Sequence, residues 1–162
     1  MMFRIEAPGM PLAVELADVV SAIRAAGYDF RWSVAEFEGR GRADVLYGGG
    51  LNYREFVATL WEPSEPMCLD DLMMMGRATA ETFDLMIIGL RASDCRPSDI
   101  SAVADANGRF LTLAAQYPFV AECFDSGFWR IHSADETRGE IVRRELAALP
   151  NVSIADFDGH SV

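Results

Sequence analysis

The chain has 162 residues, 51% hydrophobic and 24% charged, a balance that places it among globular domains and outside the disordered and fibrous classes. Its 25 acids against 14 bases give a formal net charge of −11 and a pI near 4.5, a field that repels nucleic acid and anionic membrane surfaces and attracts cationic partners. At this length residues 1–162 are expected to form one domain, which buries roughly 70% of its unfolded surface and needs no covalent staple.

All the bases are Arg and none is Lys, a usage that fits the GC-rich coding of a high-GC bacterial genome. Cys68, Cys95 and Cys123 are odd in number and lack a CxxC pair, which predicts reduced, mostly buried thiols. The opening Met1-Met2-Phe3-Arg4-Ile5-Glu6 has no apolar signal core, and no run approaches the ~20 apolar residues of a membrane helix, so a cytoplasmic protein is expected.

Residues 2–7 predict a first strand closed by the Pro8-Gly9 turn. Pro11 occupies a favourable first helical position, and Leu12, Leu16, Val19, Val20 and Ile23 recur at helical spacing up to a C-cap at Gly27. Residues 28–38 alternate Phe30, Trp32 and Val34 with Arg31 and Ser33, as a half-buried strand does. Residues 39–52 are rich in glycine, with a short strand expected at 44–47. Residues 53–61 carry two signals. Phe56, Ala58 and Leu60 alternate as in a strand, whereas Asn52 with Glu55 makes a capping box and Phe56 with Leu60 fits a helical turn. A strand paired with the aromatic one is the expectation.

Residues 62–66 are a connector with two prolines, and residues 68–82 predict a helix. Leu69, Leu72, Met73, Gly76, Ala80 and Phe83 form its inward stripe, and Asp70, Met74, Arg77 and Glu81 the opposite row. Residues 84–90 are an apolar run of the length of a strand buried on both faces. The order to that point is βαββαβ, as in ferredoxin-like sandwiches.

Beyond it, Ile100, Val103, Asn107, Phe110, Ala114 and Tyr117 are spaced as on a helix, while Asn107-Gly108 is also a strong hairpin dipeptide. Helix, whole or broken at Gly108, is expected from the surrounding Ala and Leu, with Pro118 as its stop. Residues 128–132 predict a short strand. Ser133 with Glu136 makes a capping box for a helix to Leu149, and residues 152–157 close a C-terminal βαβ unit. The expected fold is therefore α+β, a single-domain mixed sheet with helices mainly on one face.

Motifs for chemistry are sparse. Val152-Ser153-Ile154-Ala155-Asp156-Phe157-Asp158-Gly159-His160 is similar to the first motif of haloacid-dehalogenase-type phosphatases. That resemblance implies Asp156 as nucleophile and Asp158 as proton donor around Mg²⁺, with His160 where the family usually has Thr. The family also needs a downstream Lys and an acidic metal pair, which this sequence lacks, so an acidic chain end is the plainer reading. Gly48-Gly49-Gly50 lacks the Lys of a phosphate loop and reads as a turn. Cys95, His132 and Asp135 make a conceivable nucleophile set, set against a buried thiol and a helix cap. Asp70-Asp71 suit Mg²⁺ but are equally at home in the first turn of a helix, and neither a zinc pattern nor a cofactor fingerprint is present.

Exclusion and charge therefore direct the functional expectation. Glu62, Glu65, Asp70 and Asp71 follow one another without a base, next to Trp61, and Met74 lies on the outward row with Glu81. These seven residues are the expected docking surface for a basic protein, as in a bacterial immunity protein or inhibitor that masks a cationic toxin. The competing reading is a small enzyme or ligand-binding domain using carboxylates and His132 in a cleft. A third is self-association through the Met74 row.

Overall fold

The computed structural model describes residues 1–6, 14–42, 45–61, 65–94, 106–125 and 127–157. In chain order its elements are β1 (Met2–Glu6), α1 (Leu16–Ala25), β2 (Arg31–Gly41), α2 (Tyr53–Leu60), α3 (Leu69–Ala78) and β3 (Thr79–Leu90). There follow α4 (Ala106–Gln116), β4 (Phe119–Phe124), β5 (Phe128–Ser133), α5 (Glu136–Ala147) and β6 (Ser153–Asp156). The six strands make one sheet in the order β2-β3-β4-β5-β1-β6, antiparallel at every pairing.

The α+β class and the helix-rich face are as expected; the sheet is antiparallel rather than mixed. β5, α5 and β6 form the C-terminal βαβ unit, with β1 inserted between its two strands. The N-terminal half does not follow the ferredoxin-like order, because residues 53–61 are helical and β1 pairs with β5 and β6 instead of β3.

Two apolar layers hold the sheet. On one face Phe3, Ile5, Trp32, Val34, Leu85, Ile87, Phe119, Trp129 and Ile131 pack against α1, α3 and α5. α1 starts at Leu16, with Glu15 as an extended N-cap, rather than at Pro11; from there its stripe is the one its spacing implies, with Leu16, Val19, Val20 and Ile23 buried, and Gly27 terminates the helix at φ +68°, a left-handed position that favours glycine. On the other face Met86, Ile88, Leu90 and Val120 meet Phe110 and Leu113 of α4, together with Phe157. Among the described residues no helix is long and apolar enough to cross a membrane.

Several elements depart from the sequence reading for local reasons. Residues 53–60 are helix because the capping box closes: Glu55 N–H donates to Asn52 Oδ1 at 3.0 Å, and Asn52 N–H to Glu55 Oε2 at 2.9 Å. The edge of β2 that a strand there was expected to cover is bridged by Met67, through a pair of backbone bonds to Trp32. Residues 79–82 leave the helix and join β3, where Gly41, Arg40 and Gly39 of β2 pair with Thr79, Glu81 and Thr82. Thr79 Oγ1 donates to the Met75 carbonyl and closes the last turn of α3, so helix runs into strand without a loop.

α4 is continuous through Gly108, so Asn107-Gly108 is not a hairpin turn. Ser133 does not cap α5; Asp135 does, accepting from Arg138 N–H at 3.0 Å, while Ser133 Oγ donates to the Asp135 carbonyl. Of the short strand expected at 44–47, the described residues 45–47 contribute a bridge between Tyr47 and Leu51 around the three glycines and no longer ladder. β4 is an element for which periodicity supplied no signal. Pro11, Leu12, Asp44, Glu62, Cys95, Ile100, Val103, Asp158 and His160 lie outside the described residues.

The second face also holds a charged cluster. Glu122 of β4 and Arg130 of β5 are cross-strand partners, both buried, with Arg130 Nε donating to Glu122 Oε2 at 2.8 Å. Arg109 of α4 reaches Glu122 at 3.5 Å and Glu36 at 2.8 Å, and the Arg130 guanidinium lies 5.0 Å from the centre of the Phe110 ring. Removing one member of such a pair strands a buried charge. Glu122→Ala is expected to lower stability by about 3–5 kcal/mol, whereas the double variant Glu122→Leu/Arg130→Met recovers most of it, as read from urea unfolding. At Gly41 a Cβ would stand 2.4 Å from the Tyr53 ring, so Gly41→Ala should displace that ring and cost about 1–3 kcal/mol, with loss of α2 protection in hydrogen exchange.

Candidate functional site

The acidic end of α3 follows from helix physics. Asp70 and Asp71 stand in its first turn, where the partial positive charge of unpaired N–H groups favours them. Cys68 is the N-cap: its Sγ accepts from Asp71 N–H at 3.5 Å and contacts the Asp71 carboxylate at 3.0 Å. This cysteine is exposed, against the expectation of buried thiols, while Cys123 is buried in the sheet. Asp70 lies 3.6 Å from Arg24 in a pair open to water on both sides. Met74 projects from the next turn and is 41% exposed.

Glu65 is exposed just before α3. Trp61 is half-buried at the end of α2, its indole N–H donating to the Val34 carbonyl at 3.0 Å and its ring edge-on to Phe37 at 5.7 Å. It walls a cleft of about 480 Å³ with Phe37, Tyr53 and Val57. Glu81 stands apart, in β3 beyond the far end of α3, where it pairs with Arg40. Asp70, Asp71 and Met74 thus share one end of one helix, with Glu65 leading into it, and Glu81 belongs to the other end.

The remaining candidates are distributed without convergence. Asp156 is exposed on the edge strand β6 and is held by Arg143 at 2.7 Å. His132 and Ser133 alternate across β5, so His132 faces the layer opposite to α5, whose N-terminus Asp135 caps. Burial, aided by the nearby N-terminal amine, lowers the His132 imidazole to about 4, and its Nδ1 has no hydrogen-bond partner. Gly48, Gly49 and Gly50 form an open turn. Among the described residues no three His, Cys, Asp or Glu side chains gather as metal ligands.

A second cleft, of about 570 Å³, opens at the C-terminal end of α3 between Glu15, Arg42, Tyr47, Gly76, Arg77 and Thr79. His132 lines neither cleft. Glu15 Oε2 accepts from Thr82 N–H at 3.1 Å. Burial pushes the Glu15 carboxyl up to about 7; the Thr82 hydrogen bonds oppose the rise, and the charges of Asp18 and Glu81 add to it. Sequence reasoning missed this carboxyl because Thr82 and Glu81 come to it from a distant strand. The only local trace is an acid directly before the first apolar position of α1.

No protein-family model matches the chain, and no curated protein or solved structure shows significant similarity to it.

Two titrations bear on stability in opposite senses. Glu15 binds its proton more tightly in the folded chain than at its ordinary 4.5, so its contribution is complete below pH 4.5 and is lost as pH rises through about 7. His132 binds its proton less tightly than at 6.5, so its contribution is complete above pH 6.5 and is lost as pH falls through about 4. Urea midpoints measured from pH 4 to 8 should show Glu15→Gln flattening the decline toward pH 8 and His132→Gln flattening the decline toward pH 4.

Proposed function

We propose that the chain is a non-enzymatic binding protein whose acidic surface masks a cationic protein, in the manner of a bacterial immunity protein or toxin inhibitor acting in the cytoplasm. The observation that carries this reading is the charge layout at the N-terminal end of α3, where Glu65, Asp70 and Asp71 stand together beside the exposed Met74. Arg24, which pairs with Asp70, makes a water-exposed contact of the kind that contributes about 0–1 kcal/mol and leaves the carboxylate available.

A net charge of −11 steers a basic protein from a distance, and the local carboxylates orient it. Met74 adds an apolar contact, and the cleft beside Trp61 has room for one protruding partner side chain. Glu81 would act only through the long-range field, since it lies at the far end of α3. A toxin that attracts an anionic substrate carries the complementary surface.

The partner is to be sought by native mass spectrometry of the complex isolated at low salt from the producing cells. The reading requires a stoichiometric basic protein that a high-salt wash releases. Reversing Glu62, Glu65, Asp70 and Asp71 together to Arg should then slow its association by about 10- to 100-fold and flatten the salt dependence, with the circular dichroism spectrum unchanged. Unchanged affinity and salt dependence in the four-fold variant would remove the patch from any such role.

A further inference from the structure

The cleft at the C-terminal end of α3 holds an arrangement that the acidic patch does not account for. In a chain with surplus acid, Arg4, Arg24, Arg40, Arg109, Arg130, Arg138, Arg143 and Arg144 each lie within ion-pair distance of a carboxylate. Arg31, Arg42, Arg54, Arg77 and Arg91 have no ion-pair partner among the described residues, and of these Arg42 and Arg77 line this cleft from two different segments. Other polar groups of the wall are engaged internally. Tyr47 hydroxyl donates to the Ala78 carbonyl at 2.9 Å, and Thr79 Oγ1 to that of Met75 at 2.9 Å.

The wall is also fixed in place. Gly76 brings α3 so close to α1 that a Cβ there would lie 3.2 Å from Ala17 Cα, and Thr82 N–H ties Glu15 to β3. A volume of about 570 Å³ suits a small molecule. We infer that this cleft binds a small organic anion bearing a carboxylate or phosphate group, held by the guanidinium groups of Arg42 and Arg77 while the Glu15 carboxyl donates a hydrogen bond to a second ligand oxygen.

The charged groups around Glu15 set the pH response. Asp18 on α1 and Glu81 on β3 disfavour its ionisation, as burial does, and Arg42 and Arg77 line the same cleft. A bound anion adds negative charge beside a carboxyl that titrates near 7, so it selects the protonated form and takes up a proton on binding. Affinity should therefore drop by about tenfold between pH 6 and pH 8. The site is at the opposite end of α3 from Asp70 and Asp71, so its occupancy is separable from partner docking.

The test is an amide chemical-shift titration of the full chain with inorganic phosphate and, separately, malonate, at constant ionic strength, at pH 6 and pH 8. Saturable shifts are expected at Ala17, Gly76 and Ala80, stronger at pH 6. The double variant Arg42→Gln/Arg77→Gln, altered only at exposed positions, should lose at least about tenfold in affinity, and Glu15→Gln should bind malonate, which stays largely dianionic over this range, without the fall between pH 6 and pH 8. Preference for phosphate assigns a phosphoryl ligand, and preference for malonate a carboxylate. The inference fails if neither probe gives saturable shifts up to about 20 mM, or if a folded double variant binds both as the parent does.

Discussion

Strand β3 carries apolar side chains on both of its sides, Leu85 and Ile87 on one and Met86, Ile88 and Leu90 on the other. A strand in that condition needs a covering layer on each face, and the arrangement of the helices follows from it. α1, α3 and α5 supply a thick layer on the first face. The second face receives α4 and Phe157, and that cover rests on charge as well as on apolar contact. The Glu122–Arg130 pair sits beneath the helix, Arg109 extends it to Glu36 at the surface, and Phe110 lies against the Arg130 guanidinium. Burial pushes the Glu122 carboxyl upward while the two guanidinium groups oppose the rise, so the carboxylate depends on both arginines.

The direct passage from α3 into β3 has a second consequence. One helix of ten residues, about 15 Å long, separates two surfaces of different chemistry. Its N-terminal end favours carboxylates and carries Asp70 and Asp71; its C-terminal end favours cations and carries Arg77. The helix dipole thus sorts charge along the molecule. Gly76 then lets α1 approach closely enough for Glu15 to share a cleft with Arg77.

Some of the candidate surface was legible in the sequence. An acid run before a helical stripe implies exposed carboxylates in a first turn, which is where Asp70 and Asp71 are, and the outward position of Met74 follows from the same spacing. Glu81 was assigned to that row on the premise that the helix continued past Ala78. Pairing with β2 ended the helix there and moved Glu81 into a strand. The Glu15 cleft was not legible, because its defining contact joins residues that are 67 apart in the chain.

What the sequence determined by itself is local: the stripe of α1 and its glycine stop, the alternation of β2, the doubly buried centre of β3, the acidic first turn of α3, and the α+β class they compose. These rest on spacing and on side chains that reach a few residues along the backbone. Tertiary structure decided the rest. It placed β1 between β5 and β6, turned residues 79–82 from helix to strand, made a strand of β4 around the charge of Glu122, and brought Arg42, Arg77 and Glu15 to one cleft. Each of those outcomes is settled by which distant strand or helix supplies the missing hydrogen bond, countercharge or apolar cover, and no local pattern carries that information.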